Sequence, residues 1–253
     1  MSAPAPSTLS ETRWLSWLVC GLVLLLLIVL LVLAWQAGLI AYGQGGALSG
    51  RVLYHGTLPA PEKLIVVADV AVCSRIAHYD QRLQVNAQGG IRDAVVSLVE
   101  VQGGRTLEAM GSEFVLDQRV CAYHPHVLLA PVKAPVQVRN SDGIFHNIHT
   151  FSSRNAPVNL SQSGDKKTLE LEFAIPEKVQ VRCDVHGWMS AWIVAVGHPY
   201  HALSDSAGRF TLKGIPPGTY IVKCWQELLG EQQTEVIIAD GEEVALDFVF
   251  AEN

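Results

Sequence analysis

An all-β globular portion preceded by one membrane-spanning α-helix is the fold class that three features of this sequence predict. Residues 14–42 contain no charged side chain. From Leu48 onward, short Val/Ile-rich runs alternate with turn signals, and no amphipathic helical pattern of any length interrupts them. The length of 253 residues, with 21 Gly and 12 Pro, suits one or two compact β domains and not a large enzyme. The net charge of -6 comes without a dense basic block, so the electrostatic footprint of a nucleic-acid-binding protein is missing.

Taken in chain order, residues 1–13 are rich in Pro, Ser and Ala and are expected to form a disordered cytoplasmic tail. Residues 14–42 exceed the ~20 apolar residues a helix needs to cross a bilayer. Trp14 and Trp17 at one end and Trp35 and Tyr42 at the other match the two lipid–water interfaces. A cleaved signal peptide would show an apolar stretch of only ~7–15 residues and a small-residue cleavage site. Cys20 falls inside the apolar run and is expected to be a membrane-buried structural cysteine. Arg13 is the only basic residue before the helix, a bias that places the N-terminus inside. The expected location is the cytoplasmic (inner) membrane, single-pass, with the β portion in the periplasm, where disulfides persist. Gly43-Gln-Gly-Gly46 reads as a flexible tether.

Strands are expected over 50–54, 63–67, 94–101, 136–140, 169–173, 179–183, 190–196, 209–213, 219–225, 234–238 and 244–250. Between them lie the turn signals Gln88-Gly-Gly, Asn140-Ser-Asp-Gly, Ser206-Ala-Gly and Pro216-Pro-Gly, at the spacing of an all-β sandwich. A second self-contained pattern begins after Val196, which argues for two sandwiches.

The stretch that carries chemistry is Val181-Arg-Cys-Asp-Val-His-Gly-Trp-Met-Ser-Ala-Trp, a C-x2-H-x2-M loop between two strand patterns. Its partner is Phe145-His-Asn-Ile-His upstream. Taken singly, a Cys, His or Met in a β protein is core or surface; together, a thiolate, two imidazoles and a thioether are the donor set of blue-copper electron-transfer sites. The candidate ligands of one type 1 copper are therefore His146, Cys183, His186 and Met189. Zinc would be poorly served by a thioether.

Both motifs resemble the cupredoxin family, in its amicyanin and plastocyanin branch, over roughly residues 95–197. The resemblance implies a Greek-key β-sandwich and a role for Asn147, after the first ligand histidine, in tying the two ligand loops together. The wider chain, including Asp117-Gln-Arg-Val-Cys-Ala-Tyr-His-Pro-His-Val and His198-Pro-Tyr, is similar to bacterial proteins of the methylamine-utilisation type. Two departures stand out: Asp184 follows the ligand cysteine where Ser or Thr is usual, and Gly187-Trp188 replaces a proline in the loop. An acid beside the thiolate is expected to favour Cu(II) and lower the potential, and a proline-free loop to hold the ligands less tightly. The stretch Asp205-Ser-Ala-Gly-Arg-Phe-Thr-Leu-Lys-Gly-Ile-Pro-Pro-Gly-Thr-Tyr resembles the carboxypeptidase regulatory-like, or transthyretin-like, family. Its opening strand would be Gly50-Arg-Val-Leu-Tyr-His-Gly-Thr-Leu-Pro59. The expected division is then 43–69 for the linker and first strands of that small sandwich, 70–197 for the copper domain inserted in it, and 198–253 for the rest.

Cys73 and Cys121 are expected to form a disulfide, the alternative being two unpaired buried thiols; Cys224 is expected to pack as a small apolar side chain. His149 reads as structural. His124, His126, His198 and His201 offer either a second metal site or, the more ordinary reading, packing at the domain junction. The function expected is that of an electron carrier and not an enzyme. It would move single electrons between membrane or periplasmic partners, such as a cytochrome or a membrane oxidoreductase complex, through an exposed edge of His186 ringed by apolar residues such as Trp188. The alternative is copper binding and delivery, or an accessory structural role in a larger membrane complex.

Overall fold

The computed structural model describes residues 11–36 and 45–251, and within the first helix the side chains of Trp17 and residues 20–33. The chain divides into two compact units, 1–44 and 45–253. In the first, α1 (Glu11–Gln36) is one continuous helix of 26 residues whose described side chains are exposed. Residues 11–13 of the expected disordered tail are helical, while residues 1–10 of that tail and 37–42 of the expected span lie outside the described residues. Among the described residues no helix is long and apolar enough to cross a membrane.

The regular structure of the second unit is almost all strand. In chain order the strands are β1 (Gly46–His55), β2 (Gln84–Val85), β3 (Ile91–Arg92), β4 (Val95–Leu98), β5 (Phe114–Gln118), β6 (Tyr123–His124) and β7 (Val127–Pro131). Next come β8 (Val136–Asn140), β9 (His146–Phe151), β10 (Asn159–Gln162), β11 (Thr168–Leu171), β12 (Glu177–Arg182) and β13 (Ser190–Val196). The series ends with β14 (His201–Leu203), β15 (Arg209–Ile215), β16 (Gly218–Gln226), β17 (Gly230–Ile238), β18 (Glu243–Ala245) and β19 (Phe248–Ala251). Among the described residues the only α-helix of this unit is the single turn α2 (Val70–Cys73).

These strands build two sandwiches. In one, β1 pairs antiparallel with β15 and parallel with β18 and β19, facing a second sheet of order β14-β4-β16-β17. The first and last strands thus share one sheet, and the second sandwich, built from β5–β13, is inserted in the chain between β4 and β14. Gly50 is needed where β1 passes the following segment, since a Cβ there would sit 1.8 Å from the Leu246 carbonyl oxygen. The expected strand at 94–101 had been placed in the copper domain; the structure corrects this, for Val95–Leu98 pairs with β14 and β16 in this first sandwich. The sequence there is equally apolar on both sides, and only the pairing partner decides which core it joins. Two other expectations fail. Gly46 already belongs to β1 and not to a tether, and residues 63–67 form no strand, only an isolated bridge from Lys63 to Tyr79.

The other sandwich packs the sheet β10-β9-β12-β13-β7 against β11-β8-β5-β6. Parallel pairs β13/β7 and β5/β8 sit among antiparallel ones. Leu116, Val138, Ile148, Val179, Val181 and Ile193 are fully buried between its sheets, each removing from water a side chain whose burial is worth about 1.5–3 kcal/mol. Five of its strands, β5, β6, β7, β9 and β10, were not read from the sequence; Gln118, Pro131 and the His/Asn-rich 146–149 blur the alternation of β5, β7 and β9. Register places the site. The last rung of the β12/β13 hairpin is Arg182 with Ser190, so residues 183–189 form the turn. β9 pairs His149 with Arg182, which carries His146 beyond the end of β12 and alongside that turn.

The sandwiches share a third, smaller core of Val95, Val127, Val194 and Val196. Trp192 packs edge-on against Trp225 with ring centroids 5.0 Å apart, and a buried His126–Glu227 pair at 2.7 Å crosses the same junction. His198 stacks on His201 at 4.6 Å, and burial pulls His201 down to about 4. Among the described residues none of His124, His126, His198 and His201 joins a cluster of three ligating side chains.

Candidate metal centre

Three clusters of potential ligands form among the described residues. Two of them draw on Cys73 or Cys121, whose sulfurs are joined to each other in a disulfide and offer no thiolate. The third is His146, Cys183 and His186. The Cys183 sulfur lies 4.0 Å from Nδ1 of His146 and 3.7 Å from Nδ1 of His186, and the two Nδ1 atoms are 3.0 Å apart. Donors each ~2.0–2.3 Å from one ion stand roughly 3–4 Å from one another, so this triangle has the size of a single coordination sphere. Met189, the fourth residue singled out by the sequence, ends the same turn and is buried in the same core cluster as Cys183. Its amide donates to the His186 carbonyl at 2.8 Å, and the Cys183 amide to the Met189 carbonyl at 3.3 Å, which folds the turn back over the end of the sandwich.

The thiol and the imidazole facing it shift each other in opposite directions. Burial pushes the Cys183 thiol up, but hydrogen bonds with His146 and His186 outweigh it and bring the thiol down to about 6. Burial pushes His146 down, and its bonds to Asp142 and Cys183 reverse that and raise it to about 9. A buried cysteine is thereby poised as the thiolate that soft metal ions require. The thiolate, two imidazoles facing it through the same ring atom, and a buried thioether nearby are a donor set for copper and fit it.

A second layer of polar groups aims the first. Nε2 of His146 meets Asp142 Oδ2 at 2.9 Å, and Nε2 of His186 meets Asp69 Oδ2 at 2.9 Å. Asp142 is itself pinned by the amides of Val120 and Cys121, the latter at 2.8 Å. Those two residues adopt left-handed backbone, φ 50 and 55, a strained arrangement for a β-branched valine that turns consecutive N–H groups toward one carboxylate. Asn147 bridges the ligand loops: its side-chain oxygen accepts from the Asp184 amide at 2.7 Å and from the Cys183 thiol at 3.3 Å. Tyr123 donates to the Asn147 carbonyl at 3.0 Å. Asp184 faces solvent, where His149 at 2.9 Å and Asn159 at 2.7 Å hold its carboxyl below the ordinary range.

One expectation is overturned here. His186 has no exposed edge: it is 0% exposed, behind Asp69 on one side and with the Trp188 ring 5.2 Å away on another. Trp188 is half-buried and donates from Nε1 to the Cys121 carbonyl at 3.0 Å. Sequence reasoning missed both aspartates. Asp142 stood in plain view in the Asn140-Ser-Asp-Gly turn four residues before His146; nothing near Asp69 announced its role. Also unforeseen is a cavity of about 410 Å³ beside the ligand turn, lined by Trp188, Met189, Arg82, His126, Trp192 and Glu227 among others.

No family model matches the chain, and no curated protein sequence does. Solved structures do match in part. The chain is similar to a Cu-containing nitrite reductase from Thermus scotoductus SA-01, at 16% identity and a TM-score of 0.31 over 34% of this chain and 23% of that one. It is also similar to a purple cupredoxin from Nitrosopumilus maritimus, at 18% identity and a TM-score of 0.29 over 33% of this chain and 100% of the other. A mutant amicyanin in its reduced Cu(I) form gives 16% identity and a TM-score of 0.31, over 40% of this chain and 98% of its own. The chain therefore spans less than a quarter of the nitrite reductase.

Proposed function

We propose that the protein is a membrane-anchored copper protein of the cupredoxin kind that passes single electrons between membrane or periplasmic partners. The observation that carries the reading is the convergence of Cys183 Sγ with Nδ1 of His146 and of His186 in one buried triangle, all sides 4.0 Å or shorter. Copper held there, with Met189 as the weaker fourth ligand, would supply one-electron chemistry by alternating between two oxidation states. The chain's own contribution is rigidity. Asn147 locks the two ligand loops together, Asp142 and Asp69 fix the ring orientations, and the short turn 183–189 leaves little room for rearrangement.

Anchoring is proposed from the sequence alone, in which none of residues 14–42 is charged and aromatic residues flank the apolar run. The Cys73–Cys121 disulfide supports an oxidising compartment for the β unit, consistent with a periplasmic location and an inside N-terminus. The sandwich formed by the first and last strands is proposed to be a transthyretin-like module that acts as a rigid spacer or docking surface. Partners are a cytochrome or a membrane oxidoreductase complex.

A second reading, copper storage or delivery or an accessory role in a larger membrane complex, is favoured by the burial of His186 behind Asp69, since an electron carrier profits from a ligand edge near its surface. An enzymatic role ranks behind both. The deciding experiment is the visible and EPR spectrum of the copper-loaded chain beside its Cys183→Ala variant. An intense thiolate-to-Cu(II) band that the variant loses supports the trigonal site; no bound copper in the unaltered chain would sink it. Transfer of Cu(I) to a competing chelator within minutes would favour delivery over electron transfer.

A further inference from the structure

The Asp69 carboxylate reaches His186 from 117 residues away in the chain. It does so from left-handed backbone, φ 44, as the residue that opens α2. The amides of Val72 and Cys73 both donate to its carbonyl at 2.9 Å, so Asp69 and Cys73 are the two ends of one turn. His78 closes that turn from beyond, with Nε2 2.7 Å from the Cys73 carbonyl. Cys73 is bonded to Cys121, and Cys121 is the residue whose amide holds Asp142 and whose carbonyl receives Trp188. One covalent bridge therefore joins the backbone that presents Asp69 to the backbone that steadies the opposite side of the site.

We infer that Asp69 is a positioning residue for His186, presented on a cap that the Cys73–Cys121 disulfide fastens across the metal centre. The inference rests on the copper reading for its consequence, though not for its geometry. An imidazole has two ring nitrogens, and a carboxylate on Nε2 fixes the ring plane and keeps Nδ1 turned toward the other donors. Among the described residues the regular structure between β1 and β2 is α2 and the Lys63–Tyr79 bridge; Val66 and Val72 pack against the core that holds Cys183, and the cross-link is the covalent part of what fastens the cap. Asp69 itself is 44% exposed by side chain, which puts it between solvent and an imidazole that is fully covered. Removing it uncovers the ring, and removing the bridge lets the whole turn drift.

The test uses the full chain with Asp69→Ala, Asp69→Glu and a Cys73→Ser/Cys121→Ser pair. In the metal-free protein, amide hydrogen exchange across 183–189 should quicken about tenfold in Asp69→Ala and in the cysteine pair. In the copper-loaded protein, Cu(II) affinity should fall ~10–100-fold in Asp69→Ala and the reduction potential should rise. Asp69→Glu should recover both. Exchange and affinity within twofold of the unaltered chain in Asp69→Ala would overturn the cap even if copper binds. If the unaltered chain binds no copper, the proposed function fails; the exchange measurement then still decides whether Asp69 holds His186, quickening for it and no change against it.

Discussion

The two imidazoles of the candidate centre are held in the same way by means of opposite character. His146 leans on Asp142, a near neighbour in sequence, with its side chain 4% exposed and clasped by two backbone amides. His186 leans on Asp69, distant in sequence, half-exposed, and kept in place by a disulfide. The local support is a rigid turn that comes with the strand. The remote one is a loop brought in by a cross-link. Geometry at the two nitrogens is identical at 2.9 Å, so equivalent contacts at one site carry unequal structural security.

The change with the largest effect removes what both rings converge on. Cys183→Ala is expected to abolish the thiolate-to-copper band and most of the copper affinity, read by visible absorption and metal content, while the sandwich stays folded. Breaking the remote support comes next. The Cys73→Ser/Cys121→Ser pair opens a 48-residue loop and should cost roughly 3–4 kcal/mol in the chain-entropy model, measured as a shift in denaturant midpoint.

Breaking the local support is expected to cost somewhat less. Asp142→Ala leaves the amides of Val120 and Cys121 and Nε2 of His146 without their acceptor, for a loss of about 3 kcal/mol. Its pH signature has a definite sign. Burial raises the Asp142 carboxyl, but the bonds from His146 and the two amides outweigh that and set it below its ordinary value. Its stabilisation is therefore fully present above the unfolded carboxylate value of ~3.9 and lost as pH falls through the lower folded value. Acid unfolding of Asp142→Ala should show a correspondingly weaker pH dependence over that range. Equal acid sensitivity in both proteins would mean that the turn, and not the carboxylate, supports His146.

The smallest effect is expected at Asp184. Its side chain is 50% exposed and already engaged by His149, Asn147 and Asn159, so solvent screens its charge from the thiolate. Asp184→Ser should raise the copper potential slightly, by much less than Asp69→Ala; an equal or greater rise in a redox titration would show that proximity in sequence outweighs the hydrogen bond to the ligand ring.

The candidate site was legible because most of its spacing is local. Cys183, His186 and Met189 fall within one turn, and His146 sits at a strand end that register brings alongside. The Cys73–Cys121 pairing was also readable, since few other cysteines lie in the β unit. Asp142 was missed despite its position four residues before a ligand, because an Asn-Ser-Asp-Gly run reads first as a turn. The strand at 95–98 was assigned to the wrong sandwich for a different reason: Val-Val-Ser-Leu satisfies either core, and pairing with β16 is a long-range event.

By itself the sequence determined that this chain has an N-terminal helix uncharged from Trp14 onward followed by β structure, and that one thiolate, two imidazoles and a thioether lie where a turn can gather them. Those properties follow from composition and from distances of a few residues along the chain, which local geometry converts directly into distances in space. Only the tertiary structure decided that Val95–Leu98 joins the first sandwich, that His186 is covered, and that Asp69 covers it. Each of these depends on segments more than a hundred residues apart meeting at one edge, through sheet pairing or a covalent bridge, and no local pattern encodes where such segments meet.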